Sequence, residues 1–166
     1  MPVVKGEGVV NGEIRIVPPP KWNHSEIIEN LRDEIAPQID RRLVKVRLSQ
    51  FGLVIRLDPL TVREPDLAMF LAETIIEKDG YIHSPPQLAA EVLSPSNSRR
   101  EPQEKLSDYA SIGLPEVWVF SPEARTVEVL HLENGAYRRI GIFAEGILKP
   151  LHFPNVQIDI ASIWPD

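Results

Sequence analysis

The sequence predicts an α/β or α+β sandwich, on three observations: two segments with helical periodicity, at least six short β-branched or apolar runs, and turn signals that separate nearly all of them. The order read along the chain is a β-hairpin, a helix, several strands, a second helix and a closing set of strands. At 166 residues, 43% hydrophobic and 25% charged, the chain fits one folded domain over residues 1–166 with one core.

The first element is Val9-Val10-Asn11-Gly12-Glu13-Ile14-Arg15-Ile16-Val17, two β-branched runs around an Asn-Gly pair that favours the positive φ angles of a hairpin turn. Gly6-Glu7-Gly8 ahead of it precedes no helix and reads as a flexible turn. Pro18, Pro19 and Pro20 end the hairpin. Asn23 followed by Glu26 has the form of a helix N-cap with its capping partner, and Ile27, Ile28, Leu31 and Ile35 form one apolar stripe, predicting a helix from about His24 to Ile35 closed by Pro37. Val44, Val46 and Leu48 alternate with Lys45 and Arg47, and Leu53-Val54-Ile55 follows Gly52; these read as a pair of strands.

Asp66-Leu67-Ala68-Met69-Phe70-Leu71 and Leu88-Ala89-Ala90-Glu91-Val92-Leu93 are continuous apolar runs, as in strands buried on both faces, and each carries one carboxylate. Ser94-Pro95-Ser96-Asn97 breaks the chain before a helix from about Arg100 to Ile112, stopped by Gly113 and Pro115. Val117 to Phe120, Thr126 to Leu132 and Tyr137 to Phe143 form a three-stranded meander. A strand near Val156 to Ile160 and a short segment from Ala161 to Trp164 follow.

Composition narrows the chemistry. With no cysteine, thiolate nucleophiles, zinc–thiolate sites and iron–sulfur clusters are excluded. His24, His83, His131 and His152 have no ligand spacing, so a metal is expected to be a hard cation held by carboxylates. No apolar run approaches a membrane span and no signal peptide is recognisable, so a cytoplasmic protein is expected. The net charge of −6 argues against coating nucleic acid by bulk charge. Its distribution is uneven: residues 41–63 carry Arg41, Arg42, Lys45, Arg47, Arg56 and Arg63 against Asp58, a net +5 with −11 elsewhere. Such a stretch is either a phosphate-binding surface or the solvated face of strands.

A carboxylate inside an apolar strand costs several kcal/mol (roughly) unless it is paired or bound to a metal. Asp66 shares a strand face with Ala68 and Glu91 with Ala89, so small residues leave room beside each acid. Two such acids on neighbouring strands would make an oxygen-rich site for Mg²⁺. Lys105, Leu106, Tyr109, Ala110 and Ile112 fall on one arc of the second helix, which turns the lysine toward an anion, either Glu91 or a bound phosphate. The structural alternative is that Asp66 caps a turn, Glu91 forms an ion pair with Lys105 and the lysine snorkels.

Glu64-Pro65-Asp66-Leu67-Ala68, Pro86 to Ser96 with Glu91 at its centre, Glu104-Lys105-Leu106-x-x-Tyr109-Ala110 and Gly113-Leu114-Pro115-Glu116-Val117-Trp118-Val119 resemble the Uma2 family (DUF820) of restriction-endonuclease-like proteins. The resemblance extends to Asn11-Gly12-Glu13, the Pro-x-x-x-His24 segment and Arg125 to Val129. It implies a PD-(D/E)xK nuclease fold, a mixed central sheet flanked by helices, and cleavage of nucleic acid, with DNA expected, using Mg²⁺ or Mn²⁺. It further implies Asp66 and Glu91 as metal ligands, the Val92 carbonyl as a third ligand and Lys105 as the catalytic lysine. In the wider superfamily the lysine stands two residues after the second acid, where this chain has Leu93; the resemblance implies that Lys105 takes the role from the following helix. Glu101, Glu26 and Glu29 are more remote candidates for the site, each also readable as helix surface. Arg99 and Arg100 join the basic stretch as backbone contacts. The aromatics Trp118, Tyr137 and Trp164 suggest a homodimer face. The rival functions are a catalytically silent nucleic-acid-binding or assembly module, and a carboxylate-pair sugar hydrolase that leaves Lys105 unexplained.

Overall fold

The computed structural model describes residues 7–16, 21–94 and 100–166. The chain opens with β1 (Glu7–Val10) and β2 (Glu13–Ile16), antiparallel about Asn11 and Gly12, whose φ angles of 51° and 80° are those of a hairpin turn. Glu7 and Gly8 belong to β1 rather than to a flexible turn, with Gly8 paired to Arg15. The triple-proline segment lies outside the described residues.

Helix α1 (Trp22–Ile35) begins earlier than its sequence signal. The Lys21 carbonyl accepts the Ser25 N–H, so Lys21 is the N-cap, without a side-chain cap bond, and Asn23 sits inside the first turn. The expected Asn23–Glu26 capping pair therefore does not form. The stripe Ile27, Ile28, Leu31 and Ile35 is buried as expected. The helix ends at Ile35 as expected, and Pro37 follows in a single 3₁₀ turn, Ala36–Gln38, where the missing proline N–H costs no helical bond.

Next come β3 (Val44–Leu48), β4 (Leu53–Leu57), β5 (Leu60–Arg63), β6 (Leu67–Leu71), β7 (Glu77–Lys78), β8 (Tyr81–Ile82) and β9 (Leu88–Val92). The second helix, α2 (Arg100–Ser111), leads to β10 (Glu116–Ser121), β11 (Thr126–Glu133), β12 (Ala136–Phe143), β13 (Ile147–Leu148) and β14 (Ile158–Asp159). One six-stranded sheet has the order β12-β11-β10-β9-β6-β3, a second has the order β2-β1-β5-β4-β8-β7, and β13 pairs with β14. The meander β10–β11–β12 is as read from the sequence, and the closing strand is shorter than expected. β3 and β4, expected as a pair, lie in different sheets: β3 is antiparallel to β6, while β4 turns back on β5 around Asp58-Pro59. Alternation identifies the face of a strand but not its partner.

The β12-β11-β10-β9-β6-β3 sheet, larger by its longer strands, divides the expected core into two apolar layers. One face carries Leu67, Met69, Leu88, Ala90, Trp118 and Phe120 against α1 and the C-terminal Ile158, Ile160 and Ile163. The other carries Ala89, Val117 and Leu130 against Tyr109 and Leu114, with Leu53 and Ile55 of the second sheet. Trp118 and Trp164 are buried and the Tyr137 hydroxyl donates to the Leu114 carbonyl at 2.7 Å, so these aromatics serve the interior rather than an exposed dimer face.

The second sheet holds α2 in place through charge. Asp108 accepts from Arg63 Nε at 2.8 Å and from Arg56 Nη1 at 3.2 Å, and Arg15 of β2 donates to Glu104 at 3.0 Å. A separate buried carboxylate, Glu116, ties the meander to the C-terminal segment. It accepts from Trp118 Nε1 at 3.0 Å and from the Leu151 N–H at 2.8 Å, and His131 Nε2 lies 3.0 Å away. Replacing Glu116 with Ala strands a buried indole N–H and a backbone N–H, at about 1–3 kcal/mol each. Urea denaturation should show a loss of about that size, whereas Glu133→Ala, which removes a surface pair with Arg138, should cost under about 1 kcal/mol.

Candidate active site

β6 and β9 run antiparallel with Leu67 opposite Ala90 and Ala68 opposite Ala89. One step beyond the Leu67–Ala90 pair, Asp66 and Glu91 face each other on the α2 side of the sheet, with the fully buried Ala68 and Ala89 beside them. Asp66 precedes β6 rather than lying in it, and its Oδ2 accepts the Val92 N–H at 2.8 Å. That bond locks the acid across the sheet end.

β9 leads through α2 to β10, which is parallel to it, so α2 crosses over the carboxylates. Lys105 and Tyr109, one helical turn apart, both meet Glu91. The Tyr109 hydroxyl donates to Oε1 at 2.5 Å, and Lys105 Nζ stands 3.4 Å from Oε2. From the N-terminal end of α1, His24 Nε2 comes within 3.4 Å of Asp66 Oδ2.

The electrostatics follow from this crowding. Burial pushes Glu91 up to about 7, and the facing Asp66 charge adds to the rise, while Lys105 and the Tyr109 hydroxyl oppose it. Burial acts on Asp66 in the same sense, but the His24 hydrogen bond, the charges of Lys105 and His24 and the Val92 N–H outweigh it and hold this acid below the usual range. The Glu91 charge raises Lys105 despite its burial. His24 is raised as well: burial works against its charged form, and Asp66, Glu91 and the Val92 backbone overcome that. Burial and the adjacent Glu91 carboxylate keep the Tyr109 phenol neutral far above its usual range. The pair thus consists of one ionised acid and one that retains a proton close to neutrality.

The structure brings Asp66, Glu91, Lys105 and the Val92 backbone together. It does not gather the basic stretch. Arg63 is 5% exposed and bound to Asp108, which also takes Arg56; Arg42 folds onto Asp40. Lys45 and Arg47 lie on β3, in the other sheet from β4 and β5. Glu29 is exposed on α1. Arg99, the side chains of Arg100 and Glu101, and the Pro95-Ser96-Asn97 break lie outside the described residues. Two further residues join the site. His24 has no ligand spacing in the sequence, but it stands at the start of an apolar helix that reaches Asp66. Tyr109 lies on the inward arc of the second helix, and its spacing of four from Lys105 is the sequence signal that both can meet one acceptor, Glu91.

A carboxyl raised in the folded state binds a proton that the unfolded chain has already released. The Glu91 contribution to stability is therefore full below the ordinary value of 4.5 and declines as pH rises through about 7. Urea midpoints of the protein in EDTA should fall across that interval, and Glu91→Gln should flatten the decline. Tyr109→Phe removes the donor to a buried oxygen and should cost about 1–3 kcal/mol on the alkaline side of that interval.

Residues 6–161 match the model of the family described as "Uma2: Putative restriction endonuclease". A solved structure from Anabaena variabilis ATCC 29413, described as "a putative nuclease belonging to DUF820", aligns with 98% of this chain and 92% of its own at a TM-score of 0.79 and 18% identity. At that identity the likeness is one of fold. No curated protein matches the chain. The family match spans nearly the whole sequence, both apolar runs with their acids and both helices, and the chain belongs to the Uma2 family.

Proposed function

We propose that the protein is a Mg²⁺- or Mn²⁺-dependent endonuclease that hydrolyses phosphodiester bonds in nucleic acid, with DNA as the expected substrate. The observation that carries this reading is the meeting of Asp66, Glu91 and Lys105 at one sheet end, with Lys105 Nζ 3.4 Å from Glu91. The family description supports the reaction class. The larger sheet with helices on both faces supports a restriction-endonuclease-like fold in which the lysine is carried by α2 instead of standing at Leu93.

The donor chemistry fits a hard divalent cation. Asp66, Glu91 and the Val92 carbonyl offer only oxygen, and Mg²⁺ commonly takes one or two carboxylates and completes its shell with water and substrate phosphate. Among the described residues no group of three His, Cys, Asp or Glu could hold a metal ion, so backbone and water would supply the remaining positions. The approach of His24 to Asp66, its charged form favoured by that acid and by the Val92 backbone, is consistent with a place suited to positive charge. When bound, the cation supplies Lewis-acid stabilisation of the phosphoryl group and lowers the pKa of water.

The side chains do the rest. Asp66, held ionised, and Glu91, oriented by Tyr109, fix the carboxylates toward one point. Lys105 retains its charge because Glu91 stands beside it, and its ammonium donates to the phosphoryl oxygen on which charge develops. His24 keeps Asp66 deprotonated.

Supercoiled plasmid, single-stranded DNA and RNA incubated with Mg²⁺, Mn²⁺ or EDTA provide the test. Metal-dependent cleavage is expected, lost in Asp66→Ala and reduced about 10²–10³-fold in Lys105→Ala, with circular dichroism confirming that both variants fold. Cleavage that survives in both would remove these residues from catalysis, and absence of cleavage would favour a silent binding module. Because Glu91 must give up its proton to a metal, Mn²⁺ affinity measured by calorimetry should weaken as pH falls below about 7.

A further inference from the structure

Beside the carboxylates, between α2 and the face of β9–β12, lies a cavity of about 260 Å³ that shares Glu91, Lys105 and Tyr109 with the site. Its walls are apolar, formed by Leu93, Leu106, Val119 and Ile142, and Thr126 and Glu128 add polar groups. We propose that this cavity seats one unpaired nucleobase of the strand being cut, which makes single-stranded or locally opened nucleic acid the substrate class. The proposal rests on the nuclease reading of the adjoining site.

Three observations converge on that occupant. A phosphate does not belong against apolar walls, whereas a base is the part of a nucleotide with apolar faces, and a phosphodiester at Glu91 and Lys105 brings its neighbouring base to this cavity. The volume lies below that of pockets for drug-sized ligands and suits one heterocycle, not a base pair; a stacked base enters such a cavity only by leaving the helix. Two of the arginines that would track a duplex backbone, Arg56 and Arg63, are committed to Asp108. With a net charge of −6 and those two arginines withdrawn, base burial would add to the backbone attraction that remains.

Glu128 gives the cavity a preference. Its Oε2 pairs with Arg139 at 2.8 Å, and a carboxylate accepts from the exocyclic amine of cytosine, adenine or guanine, which thymine and uracil lack.

The test is fluorescence anisotropy in EDTA with labelled oligonucleotides of deoxycytidine, deoxythymidine and cytidine, and a mixed-sequence duplex. Oligodeoxycytidine should bind about tenfold more tightly than oligodeoxythymidine or the duplex, and oligocytidine shows whether DNA and RNA share the seat. Ile142 is 52% exposed, so Ile142→Glu should fold normally, weaken cytidine binding about tenfold and leave the duplex unchanged. Glu128→Gln should level cytosine with thymine. Equal binding of single strand and duplex, or indifference to Ile142→Glu, would overturn the proposal. Binding in EDTA requires no turnover, so a protein that binds as described but cuts nothing contradicts the nuclease reading alone. One that cuts duplex as fast as single strands, unaffected by Ile142→Glu, contradicts the cavity alone.

Discussion

A carboxylate withdrawn from water has to be compensated, and the burial of Glu91 at the end of β9 is the constraint around which this molecule is arranged. Tyr109 and Lys105 reach it only because α2 crosses directly over the sheet end, with both residues on the same helical face. The position of α2 depends in turn on the second sheet, whose Arg56 and Arg63 grip Asp108 and whose hairpin presents Arg15 to Glu104. That sheet is thus a clamp for the helix that carries the lysine. Asp66 beside Glu91 makes the compensation incomplete, since two facing carboxylates repel, and one of them keeps a proton until near neutrality. Hydrophobic residues would pack there at lower energetic cost, as for many buried ionic groups. On the proposed metal-dependent reading, a bound cation would account for why acids stand there instead.

Much of this was legible in the sequence because its physics is local. Asn11-Gly12 specifies a hairpin turn by backbone conformation, and the isoleucines of α1 specify a face by periodicity. The two acids were conspicuous because charged residues seldom interrupt continuous apolar runs, and the inward direction of Lys105 followed from its helical arc. What escaped depended on distant partners. Nothing within Val44 to Ile55 distinguishes a strand paired with its neighbour from one paired with β6. Nor do the arginines between residues 41 and 63 reveal that two of them answer Asp108, 45 and 52 residues further on. That long-range pairing takes Arg56 and Arg63 out of the basic stretch, and the placement of Lys45 and Arg47 in the other sheet divides the rest. His24 escaped for the same reason, since its partner Asp66 comes from another element altogether.

The placement of the site has a topological logic. β9 and β10 are parallel neighbours joined by a helix, and crevices outside the carboxyl ends of such strands are common ligand sites in α/β sheets. Here that crevice has two chemically distinct parts. One is oxygen-rich and charged, at Asp66, Glu91 and Lys105; the other is the adjoining apolar cavity under the meander. On the proposed reading, a molecule with a charged backbone and flat apolar side groups would occupy both at once.

Manganese can replace magnesium and can be located by its anomalous scattering, so diffraction from crystals grown or soaked in Mn²⁺ tests the proposed metal centre without depending on substrate or turnover. A single anomalous peak at about 2 Å from the carboxylates of Asp66 and Glu91, adjacent to the Val92 carbonyl, is the expected result. No peak at these residues under saturating Mn²⁺, with Glu91 still held only by Tyr109 and Lys105, would contradict a metal centre there and leave the buried carboxylates with a purely structural role.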